Sequence, residues 1–161
     1  MEAINETAEA IARKLVERGE SVAIAESSAG GLISAALLAV AGASRYFKGG
    51  AVVYTGDQIQ KFVGLTADEL AKERSSTAPR AAMLARAIRE RMGATWGIAE
   101  TGASGPTGNR YGDAAGHAAL AISGPIDRTE VVETGDGDRR RNMDAFTLAA
   151  LRLLLGAIEG A

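Results

Sequence analysis

The sequence predicts a three-layer α/β/α domain spanning its 161 residues, on three observations. Short apolar runs alternate with longer stretches whose apolar residues recur every three or four positions, the signature of strands alternating with helices. Two of the runs end in nearly the same form, IAESSAGG at Ile24–Gly31 and IAETGASG at Ile98–Gly105. A tight AISGPIDRTE connection joins two late strands and implies one antiparallel pair in an otherwise parallel sheet.

Taken in order, Ile4, Ala8, Ile11 and Leu15 mark a first helix that Gly19 stops. Ser21–Ala25 reads as a buried strand, and the apolar segment Leu32–Val40 as a buried helix. A strand over Gly50–Tyr54 follows, then short helices over Asp57–Val63 and Leu65–Lys72. Pro79 suits the first turn of a helix whose core face carries Leu84, Ile88 and Met92. Trp96–Glu100 is again a short buried strand, and a glycine-rich loop leads to a long one, AAGHAALAIS. After a turn at Pro125 and Asp127 comes a strand near Thr129–Glu133. The last helix starts after Asp138 and buries Phe146, Ala150, Leu153 and Ala157.

Composition excludes several functions. A net charge of −2 gives no reason to expect nucleic acid as a partner. With no cysteine there is neither a disulfide framework nor thiolate chemistry, in keeping with a reducing cytoplasm. The longest apolar stretch, LISAALLAVAGA, has 12 residues, whereas a bilayer requires about 20. One histidine and scattered carboxylates offer no metal-ligand cluster. The expectation is a single cytoplasmic domain with no membrane contact, metal or cofactor.

The matching loops carry the functional signal. Ligands of α/β sheets bind at the carboxyl ends of strands, where glycines let backbone N–H groups approach an anion. A tight turn explains either loop alone; two alike favour a binding site. Arg139, Arg140 and Arg141 fall in the first turn of the last helix, where cations oppose the helix dipole at about 0.3–1 kcal/mol each. One of them facing an anion would remove that penalty. Glu26 and Glu100 read as residues that orient loop backbone, or as a coupled carboxylate pair if their strands are neighbours, and His117 as a structural histidine.

The run AESSAGGLISAALLAVAGASRYFKGGAVVYT, followed by TGASGP, Gly116 and Arg141, resembles the CinA C-terminal domain family across nearly the whole chain. The resemblance implies a sandwich around a five-stranded mixed sheet with one antiparallel strand. It implies deamidation of nicotinamide mononucleotide to nicotinic acid mononucleotide and ammonia, and hence a small-molecule nucleotide partner, with a homodimer as the expected assembly. Longer members carry an N-terminal pyrophosphatase-type domain, whose activity is not expected here.

Carried over residue by residue, the resemblance makes Ser44 the nucleophile and Tyr54 its helper. Ser27, Gly30, Gly31, Thr101, Gly102, Gly105 and Arg141 then line the nucleotide pocket. The family's basic lysine, five residues after the tyrosine, is replaced by Ile59, which leaves Lys61, Lys48 or His117 to serve as base. Other departures are Ala29, the segment Asn109–Asp113 (NRYGD), His117 and Gly137. Two readings follow: a nucleotide amidohydrolase, and a nucleotide-binding protein that has lost its base.

Overall fold

A computed structural model describes residues 1–161. The apolar runs form strands β1 (Val22–Glu26), β2 (Phe47–Val52), β3 (Trp96–Ala103), β4 (His117–Ser123) and β5 (Arg128–Glu133) in one sheet of order β2-β1-β3-β4-β5. Strand β1 pairs in parallel with β2 and β3, and β4 runs antiparallel to both β3 and β5. One reversed strand therefore makes two antiparallel pairs, where the tight turn alone pointed to one. The Gly-rich loop after β3 also returns the chain beside the strand it left.

Strands β2, β3 and β4 differ from expectation: β3 runs on to Ala103 rather than stopping at Glu100, so Thr101 and Gly102 lie in the sheet and not on the loop. Strand β2 starts at Phe47 and ends at Val52, which leaves Tyr54 beyond the sheet. Strand β4 starts at His117, because Ala114–Gly116 form a turn closed by the His117 N–H on the Ala114 carbonyl (3.2 Å).

The two faces of the sheet differ in side-chain size, and this sets the helix layers. Val22, Ile24, Trp96, Ile98, Leu120 and Ile122 pack against α1 (Glu2–Arg18), α2 (Leu32–Leu38) and α6 (Arg139–Glu159). From α6 the fully buried residues include Phe146, Ala150, Leu154 and Ala157, with Leu153 only partly covered. The opposite face presents Ala23, Ala25, Ala99, Ala119 and Ala121 to α3 (Gly56–Val63), α4 (Ala67–Ala71) and α5 (Ala78–Met92). Small residues let α5 lie close to the sheet. At Gly97 an added Cβ would stand 2.1 Å from the Ala85 carbonyl oxygen. No helix is long and apolar enough to cross a membrane.

This packing gives opposite expectations for two glycines. Gly97→Ala should destabilise the fold by about 1–3 kcal/mol, since the added methyl forces α5 off the sheet. Gly156→Ala meets nothing within 4 Å on α6 and should stabilise it by about 0.5–1 kcal/mol through helix propensity. Urea midpoints of the two variants check this; a Gly97→Ala midpoint equal to that of the native chain would contradict the close approach.

Candidate functional site

A cavity of about 330 Å³ opens at the carboxyl ends of β1–β3, where open α/β sheets place their ligands. Ser27 enters it from the loop after β1 and Tyr54 from the loop after β2. Thr101 and Glu100 enter from β3, and Ile59 and Arg80 from α3 and α5. Arg110 and Tyr111, from the loop between β3 and β4, close the outer side.

Two fully buried carboxylates fix the loop after β1, and of these Glu100 lines the cavity. The Glu100 carboxylate accepts the N–H groups of Ser27 (2.9 Å) and Ala29 (2.8 Å) and the Ser28 hydroxyl. Burial raises the pKa of Glu100, the nearby Glu26 charge adds to the rise, and the three hydrogen bonds oppose it. Glu26 accepts the N–H groups of Gly31 (2.9 Å), Ile33 (3.1 Å) and Ser34 (3.0 Å) and the Ser34 hydroxyl (2.6 Å). Those N–H groups belong to the first turn of α2, so a carboxylate of the chain itself already occupies that helix end.

The structure brings some of the expected site residues together and separates others. Ser27, Tyr54 and Thr101 share the cavity. Gly30 and Gly31 lie in the loop whose N–H groups turn back to Glu26. Gly102 lies against β4, where an added Cβ would stand 2.4 Å from the His117 carbonyl oxygen. Gly105 is buried and gives its carbonyl to Arg139. None of these glycines lines the cavity.

Ser44 is not brought to the cavity. It lies exposed in the turn Ala43–Arg45 that precedes β2, whereas Tyr54 follows the far end of that strand. Six extended residues put about 20 Å between the two ends of β2. Within one chain Ser44 and Tyr54 therefore stand apart, and the serine that shares the cavity with Tyr54 is Ser27.

Arg141 is spent elsewhere. Its Nε and Nη2 donate to the Asp136 carboxylate (2.6 and 2.9 Å), which holds Asp136 down to about 2. The arginine of the triplet that reaches the rim is Arg139, donating to the Gly105 carbonyl (2.6 Å) and the Tyr54 hydroxyl (3.3 Å).

No candidate base stands in the cavity. Lys48 is exposed on β2 and Lys61 on α3, and neither lines it. His117 is locked outside it. Its Nε2–H donates to the Ser76 carbonyl (2.7 Å), its Nδ1 meets the Glu133 carboxylate, and Asp113 lies 3.8 Å away. Both partners of the ring nitrogens are acceptors, so the imidazolium fits this setting. Burial lowers the pKa of His117, but Glu133, the Ser76 carbonyl and Asp113 outweigh it and raise the value above 6.5.

Arg80, Arg110 and Tyr111 escaped the sequence reading as site residues. Arg80 looks like one more polar residue of an amphipathic helix, and only the fold turns it inward. For the other two a signal existed: the Arg–Tyr pair is the only large side-chain pair in a loop otherwise built of Gly, Ala, Ser, Pro, Thr, Asn and Asp.

Residues 4–158 match the family model for the CinA C-terminal domain. The CinA-like protein of Anaeromyxobacter sp. (strain K) is 35% identical over 155 residues, covering 96% of this chain and 38% of that protein. The CinA-like protein of Myxococcus xanthus (strain DK1622) is 40% identical over 138 residues, covering 83% and 33%. The chain thus spans little more than a third of the length of these relatives. Among solved structures, the competence/damage inducible protein of Agrobacterium tumefaciens superposes with a TM-score of 0.89 at 29% identity, covering 96% of this chain and 95% of that one. The CinA superfamily protein of Escherichia coli gives 0.88 at 27% identity, covering 94% and 88%.

The His117 setting predicts a pH dependence of stability. A folded pKa above the unfolded value of about 6.5 means that the folded state binds more protons between the two. The contribution of His117 is therefore full below about pH 6.5 and fades as the pH rises through the folded pKa. Urea midpoints should fall over that alkaline interval in the native chain and stay flat in His117→Asn. A native midpoint that rises with pH there would contradict the imidazolium assignment.

Proposed function

The chain belongs to the CinA C-terminal domain family, and on that footing we propose that its cavity binds a nucleotide carboxamide of the nicotinamide mononucleotide type and deamidates it slowly. The observation that carries this reading is the presence of Ser27, Tyr54 and Ile59 in the lining of one cavity. A serine hydroxyl and a tyrosine stand where an amide carbon could be attacked, and an aliphatic side chain fills the place of a base.

The chemistry follows from those groups. The Ser27 Oγ attacks the carboxamide carbon while Glu100 fixes the backbone around it through the Ser27 and Ala29 N–H groups. The tetrahedral intermediate expels ammonia, which takes up a proton, and water then hydrolyses the acyl-serine to release the carboxylate product. The step left without support is removal of the Ser27 proton. No lysine or histidine lines the cavity, and the Glu100 oxygens are engaged with the loop. A general base is worth about 10²–10⁴-fold, so turnover by the native chain should fall short of ordinary enzyme rates by that margin. The same absence supports the second reading, a nucleotide-binding protein without turnover, since binding does not require the base.

Ammonia release from nicotinamide mononucleotide tests this. The native chain should show weak release or none, and Ile59→Lys should raise kcat/KM by about 10²–10⁴-fold. Ile59 is 9% exposed, so burial should depress the pKa of the new amine, as a base requires, at some loss of stability. Ser27→Ala in that background should abolish the gain, and Ser44→Ala should leave it intact. Fast release by the native chain that survives Ser27→Ala would overturn the assignment.

A further inference from the structure

Anion recognition by a glycine loop depends on free N–H groups, and in this chain the loop after β1 has few to offer. Five of them, on Ser27, Ala29, Gly31, Ile33 and Ser34, are already taken by Glu100 and Glu26. The Glu100 oxygens in the cavity lining are themselves taken up by the loop and offer an anion no donor. Positive charge enters the cavity from other elements, α5 and the loop between β3 and β4.

Arg80 is only 8% exposed, yet no carboxylate pairs with it. Its Nε and Nη2 donate to the backbone carbonyls of Glu73 (2.9 and 2.6 Å) and Leu70 (2.6 Å), and its Nη1 has no partner within the chain. These carbonyls hold the guanidinium in place without neutralising it. A cation buried in this way is costly unless an anion joins it.

Arg110 stands on the same cavity and also lacks a carboxylate partner. Its guanidinium lies 5.0 Å from the centre of the Tyr111 ring and donates to the Tyr111 hydroxyl (2.8 Å). Arg74 packs on the same ring at 5.0 Å, but Asp113 neutralises it (2.6 Å). Arg74 and Asp113 thus hold Tyr111, Tyr111 holds Arg110, and the Arg110 charge stays free. Ser75 and Arg80 flank the same hydroxyl, whose pKa is lowered first by the Arg110 hydrogen bond.

We propose that Arg80 and Arg110, with Tyr111 and Ser75, form a subsite for a phosphomonoester group of the ligand. Two guanidinium groups match a dianion and its three terminal oxygens better than they match a single carboxylate. The proposal rests on the mononucleotide reading for the rest of the ligand. It moves the phosphate from the glycine loop to the wall built by α5 and the β3–β4 loop.

Calorimetric binding to the full chain tests it without turnover, using nicotinic acid mononucleotide, its riboside lacking the phosphate, inorganic phosphate and acetate. The mononucleotide should bind at least about tenfold more tightly than the riboside. Arg110→Ala should remove that difference and Arg110→Glu should weaken the mononucleotide further, while riboside affinity holds. Arg110 is exposed, so these variants should fold; Arg80→Lys, checked by circular dichroism, should give an intermediate loss. Arg86→Ala, exposed on α5, should change nothing. Arg110-dependent binding of inorganic phosphate without binding of either pyridine compound would keep the subsite and remove the nicotinamide reading. Equal affinity for mononucleotide and riboside, native-like binding by Arg110→Glu, a loss that follows Arg139→Ala instead, or acetate competing as well as phosphate would each overturn the subsite.

Discussion

Two carboxylates with no exposure to solvent, Glu26 at the end of β1 and Glu100 within the neighbouring parallel strand β3, take up five N–H groups of the segment Ser27–Ser34. Burying two like charges side by side is unfavourable, and only several charge-assisted hydrogen bonds to each can offset it. Removing any one donor would leave a buried carboxylate short of a partner, which costs more than an ordinary hydrogen bond. The arrangement therefore fixes the loop rigidly. Ser27 is presented to the cavity because its backbone is held from behind.

The same arrangement decides where charge can be received. A helix end whose N–H groups already face a carboxylate has lost its attraction for an anion, so free cations elsewhere on the cavity must do that work. The small-residue face of the sheet makes this possible. Ala99, Ala119, Ala121 and Gly97 let α5 approach until backbone nearly meets backbone, and the start of α5 then lies beside β3. Thr101 accepts the Ser76 N–H (3.3 Å), and the Ser76 carbonyl accepts from His117. Arg80 follows within the same turn and faces the cavity because those contacts set the helix in place.

Much of this was legible in the sequence, and what was not has physical reasons. Alternating apolar runs gave the layers, and the twin IAE loops pointed to the end of the sheet where the cavity opens, because both depend on local pattern. Ser44 entered the expected site through the resemblance alone; it precedes β2 and Tyr54 follows it, so the two flank opposite ends of that strand. Arg141 and Arg139 differ by two positions on one helix, about 200° in rotation, and only packing shows which of them meets Tyr54. Arg80 was hidden because an arginine at a helix start reads as solvated surface unless the neighbouring sheet face is known to be small.

A crystal structure of the chain with nicotinic acid mononucleotide bound is the most direct test of this division of labour between loop and wall. The phosphate should lie within hydrogen-bonding distance of the Arg110 and Arg80 guanidinium groups, with the Glu26 and Glu100 hydrogen bonds unchanged and the pyridine carboxylate toward Ser27 and Tyr54. A phosphate seated on the N–H groups of Ser27–Gly31, with Glu100 displaced from the loop, would contradict it.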